Sequence, residues 1–222
     1  GAADATTGEA GEAGETADPD GATARGESPE PAATTAEPRD PVAMLMVSDL
    51  HCNVGMAEVI RAAIEATGAT VVLNGGDTTA NGSEVEAYCV TAFDRAIPDD
   101  VRVVVADGNH DSAVIAGKER DAGWTVLNGG VVDVGGLRIL GDADPYASRV
   151  GRPTTLVGDE TRAAIGTRLA DVACADPAGV DLMLVHHSLL GDETLLEGCA
   201  PAQVSGHIHR RVGPEPSGQG VR

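Results

Sequence analysis

The chain has 222 residues, with 35 acidic against 15 basic side chains and a formal net charge of −20. That balance argues against a nucleic-acid surface or an anionic-membrane surface, because phosphate-rich partners demand clustered Lys and Arg. Four aromatic residues are too few for a base-stacking platform, and no apolar run approaches the roughly twenty residues of a membrane helix.

Residues 1–40 differ in composition from everything after them. They hold ten acidic residues against two arginines, without one Val, Leu, Ile or aromatic residue. Such a segment cannot bury enough apolar surface to offset the entropy of ordering it, which predicts a disordered acidic linker. Two interpretations stay open, a stalk that tethers the domain to a missing upstream segment or a solvating tail without a partner. Because the chain opens with Gly and has no signal-peptide pattern, we expect a fragment or a product of processing.

Residues 41–222 are predicted to form one folded domain, long enough for a sizeable core, and a β-α rhythm starts with it. Val42–Val47 is a continuous apolar run, which is typical of a strand buried on both faces. The segment 56–67 has Val59, Ala63 and Ala66 at helical spacing, and Gly68 is well placed to end that helix.

The remaining predicted elements continue this rhythm and add one hairpin. In chain order they are a strand at Thr70–Leu73, a helix opened by the capping box Ser83–Glu86 and running to about Ile97, a strand at Val101–Ala106, a hairpin of Val131–Val134 and Leu137–Leu140 around Gly135 and Gly136, a helix at about Asp159–Ala173, and strands at Asp181–Val185 and Ala202–Ser205. Residues 111–130 and 142–158 are predicted as loops. The mixture favours an α/β sandwich over a simple doubly wound sheet.

Six histidines are the most informative residues, because each follows a predicted strand within a few positions. In open α/β sheets ligands bind beyond the carboxyl ends of the strands, where such loops converge. The strand ends carry, in order, Asp49-Leu50-His51, Gly75-Gly76-Asp77, Gly108-Asn109-His110-Asp111, His186-His187 and Gly206-His207-Ile208-His209.

These side chains have the chemistry of metal ligands. Residues i and i+2 of an extended segment point the same way, so Asp49 with His51, and His207 with His209, can each present two ligands to one point. Carboxylate, imidazole and amide oxygen suit manganese, iron or zinc. The candidates are too many for one catalytic zinc with about three protein ligands, and they suit two ions ~3.5–4 Å apart that share a carboxylate. Taken singly, each motif would be interpreted as an ordinary turn or loop.

The series D-x-H, G-D, G-N-H-D, H and G-H-x-H, between Val42 and His209, resembles the calcineurin-like metallophosphoesterases. One of these elements alone occurs by chance in many proteins, whereas five in this order at strand ends are specific. The resemblance implies a two-sheet mixed β-sandwich flanked by helices, in the layer order α-β-β-α. Relatives usually continue with more sheet, and only thirteen residues follow His209. We therefore expect a C-terminally truncated fold with an open edge or an incomplete core.

The resemblance also implies a hydrolase acting on phosphoric ester bonds, with two divalent cations as cofactors and a small phosphomono- or phosphodiester as substrate. The implied ligands of one ion are Asp49, His51 and His209, those of the other are Asn109, His186 and His207, and Asp77 bridges the two. A metal-bound hydroxide would attack phosphorus in line. His110 would be the catalytic acid, stabilising charge on the phosphoryl group or protonating the leaving oxygen.

Three details qualify these assignments. Phosphatase branches of the family often carry an Asp three residues after the bridging Asp, where it orients the catalytic histidine; Ala80 stands there in this chain, so His110 needs another partner. His186 is favoured over His187 as a ligand because it is the first residue past its strand, and His187 is assigned to the pocket lining. Asp142 and Asp144 are explained by a hairpin exit turn.

The four cysteines show no C-x-x-C spacing, which argues against a structural zinc site. Pairing Cys52 with Cys89 and Cys174 with Cys199 would join neighbouring βα units and would fit a soluble domain in an oxidising, extracytoplasmic compartment. Buried free thiols are an equally open alternative. The alternative function is a non-catalytic metal-binding or scaffold module on the same fold. Adaptation to high salt would explain the acidic composition without explaining the histidines.

Overall fold

The computed structural model describes residues 41–222, so the predicted linker at 1–40 lies outside the described residues. Its strands are β1 Met44–Val47, β2 Val71–Asn74, β3 Arg102–Val105, β4 Thr125–Val126, β5 Val132–Val134, β6 Leu137–Leu140, β7 Tyr146–Ala147, β8 Thr155–Leu156, β9 Leu182–Val185, β10 Gln203–Ser205, β11 Pro216–Ser217 and β12 Gly220–Val221. Its α-helices are α1 Met56–Thr67, α2 Ala87–Asp94, α3 Ala113–Asp121, α4 Arg162–Ala175 and α5 Asp192–Glu197, and short 3₁₀ turns lie at Glu84–Glu86 and Ser188–Leu190.

Two four-stranded sheets form the centre of the fold. One is parallel, in the order β1-β2-β3-β4, and the other has the order β10-β9-β6-β5, with the β5–β6 hairpin as its antiparallel pair. The register places Val47 opposite Asn74 and Asn74 opposite Val105, so the carboxyl ends of three neighbouring strands align. The pairs β7–β8 and β11–β12 make two small separate ribbons.

Three hydrophobic clusters define four layers. Between the two sheets, Leu73 and Val104 pack in one cluster with Ile139 and Leu184. On the outer face of the parallel sheet, α1, α2 and α3 contribute buried residues to a second cluster, and on the outer face of the other sheet α4 contributes to the third. This α-β-β-α arrangement is the two-sheet fold expected from the sequence.

The predicted bounds of α1 agree with the structure, but the predicted apolar stripe is not its buried face. Gly68 ends the helix with a left-handed φ of 65°, and its N–H donates to Ile64. The buried residues are Ile60 and Ile64, whereas Val59 is 53% exposed. The larger isoleucines, one turn apart, bury more apolar surface than the stripe through Val59 does.

Several other predictions differ from the structure, including the loop at 142–158, which contains β7 and β8. β1 packs against both neighbouring clusters but is only partly buried, since Met44 is 43% exposed and, among the described residues, only β2 pairs with this strand. Residues 111–130 are not a loop, because they contain α3 and β4, and the Ser112 hydroxyl accepts a hydrogen bond from Ile115 at the start of α3. The capping box at Ser83 opens a 3₁₀ turn, and α2 then ends at Asp94 instead of Ile97.

The cysteines form the two predicted pairs. Cys52 is bonded to Cys89 and Cys174 to Cys199, with Cα–Cα distances of 5.3 and 4.9 Å, which leaves no free thiol in the described part of the chain. Within residues 41–222, none of the helices combines the length and apolar character that a membrane crossing requires.

Candidate metal centre

Both sheets deliver polar side chains to one region at the carboxyl ends of their strands. Asp49 and His51 follow β1, Asp77 follows β2, Asn109 and His110 follow β3, His186 comes directly after β9, and His207 and His209 follow β10. These are the positions at which α/β folds bind ligands, because the loops there are free to carry functional groups.

The backbone at five of these eight positions is left-handed and not extended. Asp49, His51 and Asp77 have φ values of 56°, 45° and 54°, and His207 and His209 have values of 72° and 52°. Backbone hydrogen bonds between loops hold this geometry, since the Asp49 N–H donates to Gly76 at 2.9 Å and the His51 N–H donates to Asp77 at 2.9 Å.

One group of donor atoms consists of Asp49, His51 and His209. The His209 Nε2 lies 3.3 Å from the Asp49 Oδ1 and 3.2 Å from the His51 Nε2. Two imidazole nitrogens that face each other this closely need either a shared proton or a cation between their lone pairs. The donor atoms of Asp49 and His51 thus lie at one point, as the sequence predicts. Tight turns, and not an extended backbone, bring them there.

A second group consists of Asn109, His186 and His207. The His186 Nε2 lies 3.0 Å from the Asn109 Oδ1 and 3.1 Å from the His207 Nδ1. His186 donates from Nδ1 to the Gly75 carbonyl at 2.7 Å, which leaves Nε2 directed at the group. His207 and His209 therefore lie in different groups, which is the division that the family resemblance implies and not the single point that the i, i+2 spacing predicts. Their left-handed backbone breaks the extended alternation on which the single-point prediction rested.

Asp77 lies between the two groups. Its Oδ2 is 3.8 Å from the His51 Nε2 and 3.3 Å from the His186 Nε2, and the side chain is 2% exposed. Burial would raise the pKa of Asp77, but the hydrogen bond with His186 and the backbone N–H of His110 outweigh it and hold the pKa below its ordinary value. An ionised carboxylate therefore faces both groups at neutral pH.

This donor set fits divalent cations. The donor atoms of Asp49, His51 and His209 lie within 4.8 Å of one another, as do those of Asp77, His186 and His207. Carboxylate, amide and imidazole donors of this kind bind borderline metals such as manganese, iron and zinc. Another group, Cys174, Glu197 and Cys199, lacks that chemistry because its sulfurs are joined in a disulfide.

His110 lies beside the first group, and one of its ring nitrogens is within 4.8 Å of donor atoms of His51 and Asp77. Its ring is perpendicular to that of His51, with 4.9 Å between the ring centroids. Its Nδ1 donates to the Ala80 carbonyl at 2.7 Å. The hydrogen-bond partner of His110, which the sequence could not identify, is therefore the main-chain carbonyl oxygen of Ala80. Ala80 is the residue that stands in place of the expected Asp.

His187, Asp142 and Asp144 lie outside the donor groups. The His187 Nδ1 accepts a hydrogen bond from the Leu189 N–H, and burial, followed by the nearby Arg162, lowers its pKa to about 4. The Asp144 carboxylate pairs with Arg162 at 2.8 Å, and Asp142 pairs with Arg168 at 2.9 Å. The two aspartates hold α4 against the loop after β6, a more specific role than an exit turn.

Two residues that support the site were not assigned from the sequence. Arg149 donates to the main-chain carbonyls of Asn109 at 2.9 Å and Asp111 at 2.6 Å, which fixes the loop that carries His110. The buried Asp111 carboxylate accepts from the N–H groups of Gly108 and Thr79. The G-N-H-D motif contains Asp111, but no local pattern connects Arg149 to a loop 38 residues away.

A two-sheet α-β-β-α fold with these donors at its strand ends is a metallophosphoesterase-type fold. The model of the calcineurin-like phosphoesterase family matches residues 43–211, and the chain belongs to this family. No curated protein matches the sequence.

Solved structures provide the remaining comparison. A crystal structure with 13% sequence identity aligns with a TM-score of 0.60 over 80% of this chain and 88% of its own, which supports the fold. The NAD nucleotidase NadN of Haemophilus influenzae shares 15% identity at a TM-score of 0.43, over 76% of this chain. The chain spans 38% of the length of that nucleotidase.

Proposed function

We propose that residues 41–222 form a dinuclear metal-dependent phosphoesterase that hydrolyses a small phosphomono- or phosphodiester, with residues 1–40 as an acidic linker. The observation that carries this proposal is the position of the Asp77 carboxylate, whose Oδ2 lies within 3.8 Å of an imidazole nitrogen from each donor group. A carboxylate shared between two ligand sets is the arrangement that a two-metal site requires.

In this proposal each group of side chains holds one ion. Asp49, His51 and His209 bind the first, Asn109, His186 and His207 bind the second, and Asp77 bridges them. When bound, the two ions supply positive charge for the phosphoryl oxygens and lower the pKa of the attacking water. They also reverse the local field of an acidic chain, because bound cations are the largest charges in such a site.

His110 acts on the leaving group. The Ala80 carbonyl holds the proton on Nδ1, so Nε2 is the ring atom that meets the substrate. A proton delivered from this position stabilises the departing oxygen. The two disulfides further support an oxidising compartment for the protein.

The test is hydrolysis of bis(p-nitrophenyl) phosphate and p-nitrophenyl phosphate by the manganese-loaded chain. We expect manganese-dependent turnover, with two ions bound per chain, and a loss of more than about 100-fold in Asp77→Ala together with a lower metal content. Asp142→Asn is the matched control, because this carboxylate pairs with Arg168 outside the donor groups. Its turnover should equal that of the wild type.

The other outcomes decide between the alternatives. A folded wild-type chain that binds two manganese ions but hydrolyses neither ester would favour the non-catalytic scaffold. A folded chain that binds no manganese would overturn the metal site itself. The ratio of diester to monoester turnover assigns the substrate class.

A further inference from the structure

The peptide group between Ala80 and Asn81 connects the imidazole of His110 to a carboxylate. Its carbonyl accepts the hydrogen bond from the His110 Nδ1 at 2.7 Å. Its N–H donates to the Glu86 Oε1 at 3.1 Å. One planar amide is therefore hydrogen-bonded to a histidine on one side and to a carboxylate on the other.

Glu86 is held in place by four hydrogen bonds. Its Oε1 accepts from the N–H groups of Ala80 at 3.0 Å and Asn81 at 3.1 Å, and its Oε2 accepts from the N–H of Ser83 at 2.9 Å and the Ser83 hydroxyl at 2.7 Å. Partial burial would raise the pKa of Glu86, but these bonds outweigh it and hold the pKa below its ordinary value. The carboxylate is ionised at neutral pH.

The turn that contains this amide is also fixed independently of Glu86. The Ser112 hydroxyl donates to the Gly82 carbonyl at 2.8 Å, and the Val150 N–H donates to the Asn81 Oδ1 at 2.9 Å. Both contacts come from other loops of the site. Loss of the charge at Glu86 therefore changes the polarisation of the amide more than its position.

We propose that Glu86 is a positioning residue for His110, acting through the peptide group between Ala80 and Asn81 in place of the carboxylate that Ala80 lacks. A negative charge at the N–H side of an amide polarises its carbonyl, and hydrogen bonds in such a chain strengthen one another. The stronger acceptor fixes the Nδ1–H tautomer and the ring orientation of His110, as carboxylates do for functional histidines elsewhere. This inference rests on the proposed function, in which His110 protonates the leaving group.

The kinetic test uses Glu86→Gln in the full, manganese-loaded chain with two monoesters of different leaving-group basicity. For phenyl phosphate, whose leaving group needs a proton, we expect kcat to fall about 10-fold with KM unchanged. For p-nitrophenyl phosphate, which has a far better leaving group, kcat should fall less than about 3-fold. Glu84→Gln is the matched control, because it removes the same charge from an exposed position of the same 3₁₀ turn, and it should change neither rate.

A double-mutant cycle separates positioning from a purely structural role. In a His110→Ala background, Glu86→Gln should have no further effect on phenyl phosphate, because residues that act through one group are not additive. If Glu86 only stabilises the turn, the two effects will multiply and both esters will lose rate equally. That result would overturn the proposal.

An NMR measurement tests whether Glu86 acts on His110 without any turnover assay. In the zinc-loaded chain, the ¹H–¹⁵N signal of the His110 Nδ1–H is assigned by its absence in His110→Ala. With Glu86→Gln, this proton should move upfield and exchange faster with water, while Glu84→Gln leaves it unchanged. An unchanged signal in Glu86→Gln would refute the connection. If the wild type hydrolyses no phosphoester, the proposed function fails, and this signal still decides whether Glu86 acts on His110.

Discussion

Five of the six non-glycine residues with left-handed torsions in residues 41–222 are candidate metal ligands. Each such residue costs roughly 1–2 kcal/mol relative to an ordinary conformation, because its Cβ approaches a carbonyl oxygen. Hydrogen bonds from neighbouring loops offset this cost, as the bond from the Asp49 N–H to Gly76 illustrates. The strain thus lies at the candidate ligands, which is where backbone strain tends to gather in functional sites.

Behind the site lie two buried carboxyl groups that act on each other. Asp107 and Glu119 are 6% and 0% exposed, and each contributes to the pKa of the other. Burial, followed by the charge of a neighbouring carboxylate, raises the pKa of Asp107 to about 7 and that of Glu119 well above its ordinary value.

We expect Glu119→Gln to stabilise the protein in a pH-dependent way. An acid with a raised pKa in the folded state contributes full stability below its unfolded pKa, and that stability is lost as the pH rises toward the folded pKa. For Glu119 the loss begins near 4.5 and continues upward. The amide of Gln cannot ionise, so thermal unfolding should show a gain of about 1–3 kcal/mol at pH 8 and little at pH 5. Equal gains in stability at both pH values would contradict this account. The control Glu84→Gln, at an exposed position, should show no gain in stability at either pH.

At the scale of the elements, left-handed residues and a disulfide constrain the connection between β1 and α1. It carries the predicted ligands Asp49 and His51, and the next residue, Cys52, is also left-handed with a φ of 58°. The disulfide to Cys89 fixes this connection to α2 across 37 residues of sequence. The other disulfide joins α4 to the segment after α5, and so has no part in this connection.

Removing the Cys52–Cys89 bond should therefore affect the metal site as well as stability. We expect the double variant Cys52→Ser/Cys89→Ser to lose about 2–4 kcal/mol of unfolding free energy. Manganese affinity should fall about 10-fold, because the backbone of His51 loses a restraint. The measurements are chemical denaturation and calorimetric titration with manganese.

The second disulfide supplies the control for this experiment. Cys174→Ser/Cys199→Ser should lose stability of similar size and keep the manganese affinity of the wild type. Equal losses of affinity in both double variants would show that general destabilisation, and not the geometry beside His51, weakens the site.

At the scale of the whole molecule, the candidate metal centre takes its donor side chains from both sheets. Asp49, His51 and Asp77 come from the parallel sheet, whereas His186 and His207 come from the other. Without cations, the carboxylates of Asp49 and Asp77 add to the self-repulsion of a chain with net charge −20. Cations should therefore strengthen the association of the sheets.

Metal removal should accordingly lower the melting temperature. A ligand that binds only the folded state at a hundred times its Kd stabilises it by about 2.7 kcal/mol per site. We expect EDTA to lower the Tm of the manganese-loaded chain and excess manganese to restore it, as measured by calorimetry. In Asp77→Ala the chelator should have a much smaller effect. A wild-type Tm that is indifferent to EDTA and manganese would contradict a role of the cations in holding the sheets together.

Local patterns were sufficient for much of the fold. The helix from 56 to 67 and the hairpin around Gly135 and Gly136 follow from spacing and glycine chemistry, and both glycines have the positive φ that a tight hairpin needs. Helix α3 was missed because it is short and rich in Ala and charged residues, and its buried face includes Glu119. A buried carboxyl group removes the periodicity on which such a prediction depends.

The sequence by itself determined the family, the two-sheet class and the strand ends that carry the polar residues, because motifs and hydrophobic periodicity are local. Only the tertiary structure decided that left-handed turns carry His207 and His209, that β1 forms an edge, and that the Ala80 carbonyl serves His110. These contacts join residues that are 21 or more positions apart in the sequence. They depend on strand register, layer packing and left-handed turns, which no local pattern specifies.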